Sequence, residues 1–205
     1  LRWRVFDEPL PPRPVLLTVD DNYIKLYTSM WPILRERGQV IVNFTITGAV
    51  GRETSLHYCG WDKIREMETS GAVISESHTG THPHLTQLNN EEAWTELQGS
   101  RDSMEENMPD NPCRYLAYPY GDHDDRIAMM SAEAGYSAAF STLTGLNYRD
   151  TNLFALRRDS ADGRPLASLR DLVKFDELPP DPPGEGYTVD NDQVNFFADM
   201  DAWQF

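Results

Sequence analysis

Short apolar segments alternate with amphipathic ones along most of the chain. Residues 15–19 form an apolar run that ends at two aspartates, which predicts a buried strand with polar groups at its carboxyl end. Residues 24–37 carry apolar side chains at helical spacing (Leu26, Met30, Ile33 and Leu34), and Gly38 ends the helix. The alternation then predicts strands at 40–46, 72–74, 115–118, 138–140 and 154–156, with helices at about 61–69, 90–107 and 124–134.

This order of strands and helices predicts a parallel sheet or barrel. In such folds, polar residues at the carboxyl ends of strands are the candidates for chemistry. Three predicted strands end in this way: at Asp20 and Asp21, at His78 and His82, and at Tyr118 and Tyr120. We therefore expect these strand ends to form one site.

The composition narrows the class of protein. The 205 residues suit one domain, and 40% apolar with 25% charged residues is ordinary for a globular protein. No run of about 18 apolar residues is present to span a membrane. The 33 acidic and 18 basic residues give a net charge of −15, so nucleic acid and anionic lipid are poor partners.

The character of the sequence changes after about residue 176. A proline-rich stretch, residues 178–184, precedes an acidic segment that contains the aromatic residues Tyr187, Phe196, Phe197 and Trp203. We expect a domain over residues 1–176 and a tail over 177–205 that packs on the domain or mediates contacts, including oligomerisation. Cys59 and Cys113 could form a disulfide, but we expect both to be small buried residues without one.

Three of the five histidines lie between Glu76 and Leu85. His78 and His82 are four residues apart, so a helical turn or a tight loop can aim both at one point, and Asp21 could complete a three-ligand metal site. The alternative is a polar turn with solvated histidines. We expect His84 to lie beside the metal ligands or on the surface. The remaining histidines, His57 and His123, should lie in surface loops.

The adjacent aspartates favour a division of labour. If Asp21 binds a metal, Asp20 is held nearby as a base for water that the metal makes more acidic. The alternative is a solvated Asp-Asp-Asn turn after a strand.

Three motifs together resemble the polysaccharide deacetylases with the NodB homology domain, carbohydrate esterase family 4. They are Thr18-Val19-Asp20-Asp21-Asn22 (T-F-D-D-G in the family), Ser77-His78-Thr79-Gly80-Thr81-His82-Pro83 (S-H-T-x-x-H-P) and Leu116-Ala117-Tyr118-Pro119-Tyr120-Gly121 (F-A-Y-P-Y-G). The third form, with Trp61-Asp62 ahead of a helix, resembles the branch acting on poly-N-acetylglucosamine. The resemblance covers residues 14–160 and is less specific for the substrate than for the superfamily.

The resemblance implies a distorted (β/α) barrel that hydrolyses an acetamide to an amine and acetate. It makes Asp20 the general base and Asp21, His78 and His82 the ligands of one divalent metal, most simply zinc, with cobalt, nickel or iron possible. The backbone N–H of Tyr120 would stabilise the oxyanion, and Tyr118 and Pro119 would contact the substrate.

The sequence departs from the family pattern at two motif positions. Asn22 replaces a glycine, a mild change because asparagine tolerates left-handed backbone. Ala117 replaces the arginine that orients the base in many relatives. Arg158, beside Arg157, is placed to do this work, although both could be surface arginines.

The general acid is a larger gap. Many relatives protonate the leaving amine with a late histidine, but none follows His123 in this sequence. The acid could lie in a part of the protein outside this sequence, be another group such as His123, or be missing, and a missing acid typically costs ~10²–10⁴-fold in rate.

We therefore expect a metal-dependent de-N-acetylase of an amino-sugar polymer, extracellular or periplasmic. The sequence begins at Leu1, and whether a signal peptide was removed stays open. Two alternatives remain: a hydrolase of small non-sugar amides with the same fold, and a carbohydrate-binding module that has lost catalysis.

Overall fold

The structure is a computed structural model that describes residues 14–53, 57–162 and 164–165. Five strands form one parallel sheet whose spatial order follows the chain order. The strands are β1 (Thr18–Asp20), β2 (Ile41–Thr45), β3 (Val73–Ser77), β4 (Tyr115–Ala117) and β5 (Ala138–Phe140). The sheet curls into a half-barrel with helices on its outside, which confirms the predicted distorted (β/α) barrel.

Four α-helices connect the strands. They are α1 (Trp31–Arg37), which continues a π-helical turn at Leu26–Met30, α2 (Trp61–Thr69), α3 (Asn90–Asn107) and α4 (Asp125–Glu133). Gly38 ends α1 with a left-handed backbone (φ 59°), as its position predicts. Helix α3 begins with a capping box in which Asn89 and Glu92 satisfy each other's backbone N–H groups.

The main core lies between the sheet and the helices that pack on its outer face. Strand β2 is buried along its whole length, as expected for a central strand of a parallel sheet. Not all of the apolar residues at helical spacing are buried. Leu26 and Leu34 are buried, whereas Met30 and Ile33 are 39% and 51% exposed, and Trp31 is buried instead. The π-helical turn widens the helix before α1 and shifts its phase by part of a turn.

The predicted sixth strand is reduced to one bridge. Residues Leu153–Ala155 form a 3₁₀ turn, and within the described part of the chain only the pairing of Leu156 with Phe140 extends the sheet. The side chain of Asn152 accepts a hydrogen bond from the N–H of Phe154, which favours the turn over an extended strand.

Both cysteines are buried and unpaired, as expected. The predicted boundary at 176 and the tail at 177–205 lie outside the described residues. Among the residues that are described, no helix is long and apolar enough to cross a membrane.

Candidate active site

The turn after β1 presents Asp21 in an unusual conformation. Asp21 and Asn22 both have positive φ angles, 74° and 48°. The side chain of Asn22 is buried and accepts a hydrogen bond from the N–H of Ile46 at 3.0 Å. Asn22 therefore adopts the left-handed backbone expected of it and also ties the turn to the segment after β2, which a glycine could not do.

The loop after β3 is strained and closely packed. Thr79 and His82 have φ angles of 66° and 67°, which is rare for a β-branched residue such as threonine. The N–H of Gly48 donates to the carbonyl of Gly80 at 2.8 Å, and a Cβ at Gly48 would lie only 2.6 Å from that oxygen. Contact with a neighbouring loop thus holds a conformation that is costly by itself.

A carboxylate from α3 also holds this loop. Glu96 accepts hydrogen bonds from the N–H and the hydroxyl of Thr81 at 2.7 and 2.6 Å. Thr81 lies directly before His82, so α3 fixes the loop that carries this histidine.

Asp21, His78 and His82 form a three-donor cluster. The Nε2 atoms of both histidines lie 3.6 Å from Oδ1 of Asp21, and all three donor atoms lie within 4.8 Å of one another. Bonds of about 2.1 Å in a tetrahedral arrangement separate neighbouring ligand atoms by about 3.4 Å. Oδ1 of Asp21 is buried and accepts no hydrogen bond from the described residues. The donor set therefore fits one divalent cation.

The imidazole of His78 is oriented for ligation. Its Nδ1 lies 2.6 Å from the carbonyl oxygen of Ala117, so Nδ1–H donates and Nε2 keeps its lone pair toward Asp21. Burial is the main influence on His78 and lowers its pKa, which favours the neutral imidazole that a metal needs.

Asp20 forms a bidentate ion pair with Arg158. The two Nη atoms lie 2.7 and 2.9 Å from the two carboxylate oxygens, and the Nε–H donates to the carbonyl of Ser141. Burial would raise the pKa of Asp20, but Arg158 and the nearby imidazoles outweigh it and hold that pKa below its ordinary value. Asp20 is thus ionised, with Oδ2 at 3.8 Å from Nε2 of His78.

Tyr120 lies on the exposed rim of this cluster. It has a left-handed backbone (φ 60°), its side chain is 57% exposed, and its ring contacts His82 edge-on. His84 stacks on the same ring with centroids 4.0 Å apart, and its Nδ1 lies 3.3 Å from the carboxylate of Asp122. His84 therefore belongs to the rim of the site, in accord with its expected place around it or on the surface.

Tyr118 and Pro119 are buried, which contradicts a direct contact of their side chains with substrate. Tyr118 donates its hydroxyl proton to the carbonyl of Phe154, and His123 stacks on its ring. These contacts hold Tyr118 in place, two residues before Tyr120. His123 is half-buried in this stack, with Nδ1 3.0 Å from the carbonyl of Gly121, so it is not an exposed loop residue.

The sequence did not reveal the parts that hold the site from outside the motifs. Glu96 and Gly48 fix the histidine loop, but both are distant from it in sequence and neither belongs to a recognisable pattern. Asp122 directly follows the third motif, and this position is the only sign in the sequence that it lies near the site.

This chain is similar to known proteins both in sequence and in fold. Residues 7–139 match the model of the family described as polysaccharide deacetylase. The Bacillus subtilis protein YxkH, assigned to the polysaccharide deacetylases, is 28% identical over 144 residues. That alignment covers 70% of this chain and 50% of YxkH, so the chain spans about half the length of this relative.

Two solved structures show the same fold. The deacetylase PplD of Streptococcus pyogenes, in complex with acetate, has a TM-score of 0.71 and 26% identity, covering 77% of this chain and 68% of PplD. IcaB from Ammonifex degensii has a TM-score of 0.70 and 24% identity, covering 78% of this chain and 74% of IcaB.

Proposed function

This chain belongs to the polysaccharide deacetylase family, and on that premise we propose that it is a metal-dependent hydrolase that removes N-acetyl groups from an amino-sugar polymer. The observation that carries the proposal is a cluster of three donor atoms that fits a metal ion, beside a separate carboxylate, Asp20, which an arginine holds ionised. A binding module would need neither the ionised carboxylate nor its bidentate partner.

Asp21, His78 and His82 would hold the cation. Two imidazoles and one carboxylate suit zinc, while cobalt, nickel and iron are the alternatives that metal analysis of the purified protein would distinguish. A divalent cation at this position would polarise the acetyl carbonyl and lower the pKa of water.

The remaining roles fall to groups around the cluster. Asp20 takes a proton from the attacking water, and Arg158 keeps its carboxylate aimed at that water. The backbone N–H of Tyr120 donates to the oxygen that becomes negative in the tetrahedral intermediate. The departing amine needs one proton, and Asp20 holds one after the first step, so the protons balance.

A polymer is the substrate class that fits the rim best. Tyr120 and His84 form an exposed aromatic stack beside the cluster, whereas a site for a small amide would enclose its substrate. The third motif has the form of the branch that acts on poly-N-acetylglucosamine, so this polymer is our proposed substrate. Because such polymers lie outside the cytoplasm, we propose an extracellular or periplasmic location, which cell fractionation would check.

Acetate release tests the proposal. The protein, stripped of metal and reloaded with zinc, should release acetate from N-acetylated glucosamine oligomers only in the loaded form. Asp20→Asn should abolish release while calorimetry shows that zinc still binds. Asp62→Asn, an exposed acid on α2, is the matched control and should keep full activity.

Each rival has its own outcome. Oligomer binding without acetate release would identify a carbohydrate-binding module. Acetate release from small amides but not from oligomers would favour the alternative hydrolase. Full activity of Asp20→Asn would show that the base is assigned to the wrong residue.

A further inference from the structure

Helix α3 lies beside the loop that carries the two histidines of the three-donor cluster. Two of its side chains, Glu96 and Ser100, are four residues apart and therefore lie on the same face of the helix. Each of them contacts the residue that directly precedes one of the two histidines in the chain. A single helix thus holds the loop at both histidines.

The contact of Glu96 lies at the surface. Its two carboxylate oxygens accept from the N–H and the hydroxyl of Thr81, the residue before His82. A Cβ at Gly80 would lie 3.0 Å from the same carboxylate, so the backbone of the loop passes close to it. The left-handed backbone of His82 (φ 67°) is costly by itself, and this contact helps to keep its Nε2 at 3.6 Å from Oδ1 of Asp21.

The contact of Ser100 is buried. Its hydroxyl oxygen lies 2.8 Å from that of Ser77, the residue before His78, and both side chains are fully buried. The hydroxyl of Tyr136 lies 2.8 Å from the same Ser77 oxygen and 2.9 Å from the carbonyl oxygen of Leu97 in α3. A buried network of connected hydroxyl groups favours one arrangement, so the end of β3 is tied to α3 directly before the first histidine.

These two contacts bear on the affinity of the site for a cation. Ligands that already lie in place lose less entropy when a metal binds than ligands on a loop that must first be ordered. Groups that orient ligands from outside a metal site typically change its affinity about 10–100-fold when they are removed. Glu96 and Ser100 are such groups, because they act through the residues that they hold.

We propose that Glu96 and Ser100 are positioning residues, which set the metal affinity by holding the two histidines at the spacing that one cation requires. This inference rests on the metal site of the proposed function and extends it to the helix that supports that site.

The zinc affinity of the folded protein, measured by competition with a chromophoric chelator, tests the proposal. Glu96→Ala should raise the Kd for zinc about 10–100-fold, because Thr81 loses both acceptors. Glu96→Gln should stay within about threefold of the wild type, since its amide can accept from the N–H of Thr81 and donate to the hydroxyl oxygen. Ser100→Ala should raise the Kd about tenfold.

Two further variants separate position from charge. Thr81→Val keeps the charge of Glu96 but removes the hydroxyl, so it should raise the Kd about fivefold, and it decides the question if Glu96→Ala does not fold. Glu91→Ala removes an exposed carboxylate from the same helix and should bind zinc as the wild type does. Equal weakening in Glu96→Ala and Glu96→Gln would mean that charge alone attracts the metal, which would overturn the positioning role.

The absorption spectrum of the cobalt-loaded protein is an independent readout, because it reports the geometry of the ligands. Its d–d bands should shift in Glu96→Ala and Ser100→Ala but not in Glu96→Gln. Wild-type zinc affinity and wild-type cobalt spectra in both alanine variants would overturn this inference and leave the proposed function intact.

Failure of the proposed function looks different. If the wild type binds zinc but releases no acetate from any oligomer, the proposed function fails alone, and the zinc affinities of the variants still decide the role of α3. If the wild type binds no divalent cation, both the metal-dependent function and this inference are refuted.

Discussion

Asp20 at the end of β1 and Glu76 within β3 are two acidic residues of one sheet whose surroundings differ. Asp20 lies against the guanidinium of Arg158, and Arg158 together with the nearby imidazoles outweighs burial and holds the pKa of Asp20 below its ordinary value. Glu76 is only 2% exposed and accepts hydrogen bonds from the backbone N–H groups of Arg114 and Tyr115, both at 2.8 Å. Burial raises the pKa of Glu76 to about 8 despite these bonds.

The two acids therefore do different work. Strands β3 and β4 share a single register pair, Ser77 with Leu116, and Glu76 supplies an acceptor where the ladder has opened. A buried carboxyl group whose donors are uncharged stays largely protonated at neutral pH and serves the sheet. The carboxylate of Asp20 has a fixed cationic partner, so it is ionised at neutral pH and can accept a proton.

Removing the guanidinium that pairs with Asp20 should have the largest effect on activity. We expect Arg158→Met to lower kcat about 100-fold, because Asp20 loses the bidentate partner that fixes its orientation and charge. Steady-state acetate release measures the loss, and zinc calorimetry checks that the metal site remains. Arg65→Met, at an arginine on α2 that pairs with Asp62, should retain wild-type activity. A similar loss in both variants would show that the effect is not specific to the Asp20 pair.

Removing the carboxyl group of Glu76 should instead affect stability. Glu76→Ala leaves two backbone N–H groups without an acceptor and opens a small cavity inside the sheet. We therefore expect it to lower the free energy of unfolding by about 2–4 kcal/mol. Urea denaturation measures this loss, while kcat per folded, zinc-loaded molecule should stay near the wild-type value. A large fall in kcat with unchanged stability would reverse the roles that we assign to the two acids.

This contrast also shows what sequence can reveal. The alternating pattern predicted all five strands and the four helices, because each element has its own period and its own stop signal. Asp20 and Asp21 follow an apolar run directly, so their place at a strand end could be read from the order of residues. For Arg158, the family resemblance supplied the expectation, and the structure puts its guanidinium on Asp20.

Other features depend on contacts between distant parts of the chain. Glu76 precedes the histidine motif but meets its partners 38 and 39 residues later, where two strands diverge. For Tyr118 we expected contact with substrate, yet its ring is buried and its hydroxyl donates to the carbonyl of Phe154, 36 residues later in the chain.

The pH dependence of stability offers a finer comparison. In protein treated with a chelator, Glu76 should make the free energy of unfolding fall as the pH rises from about 4.5 to about 8, while the lowered pKa of His78 acts in the opposite direction below about pH 6.5. Glu76 takes up its proton with a pKa of about 8 when folded and near 4.5 in an unfolded chain, so its contribution is complete below pH 4.5 and is lost over this interval. Asp20, with its lowered pKa, loses its contribution only as the pH falls below about 4, outside this interval.

Glu76→Gln isolates this term because glutamine keeps an acceptor for the two N–H groups and cannot ionise. Between pH 5.5 and 7.5, the wild type should lose about 2 kcal/mol more stability than Glu76→Gln. Burial also raises the pKa of Glu68, which bonds to the N–H of Ser75, so the variant should keep part of the slope. Urea denaturation at the two pH values measures both slopes, with Glu91→Gln, at an exposed residue of α3, as the control. Parallel slopes in the wild type and Glu76→Gln would mean that Glu76 is ionised throughout, and the contrast with Asp20 would then lose its physical basis.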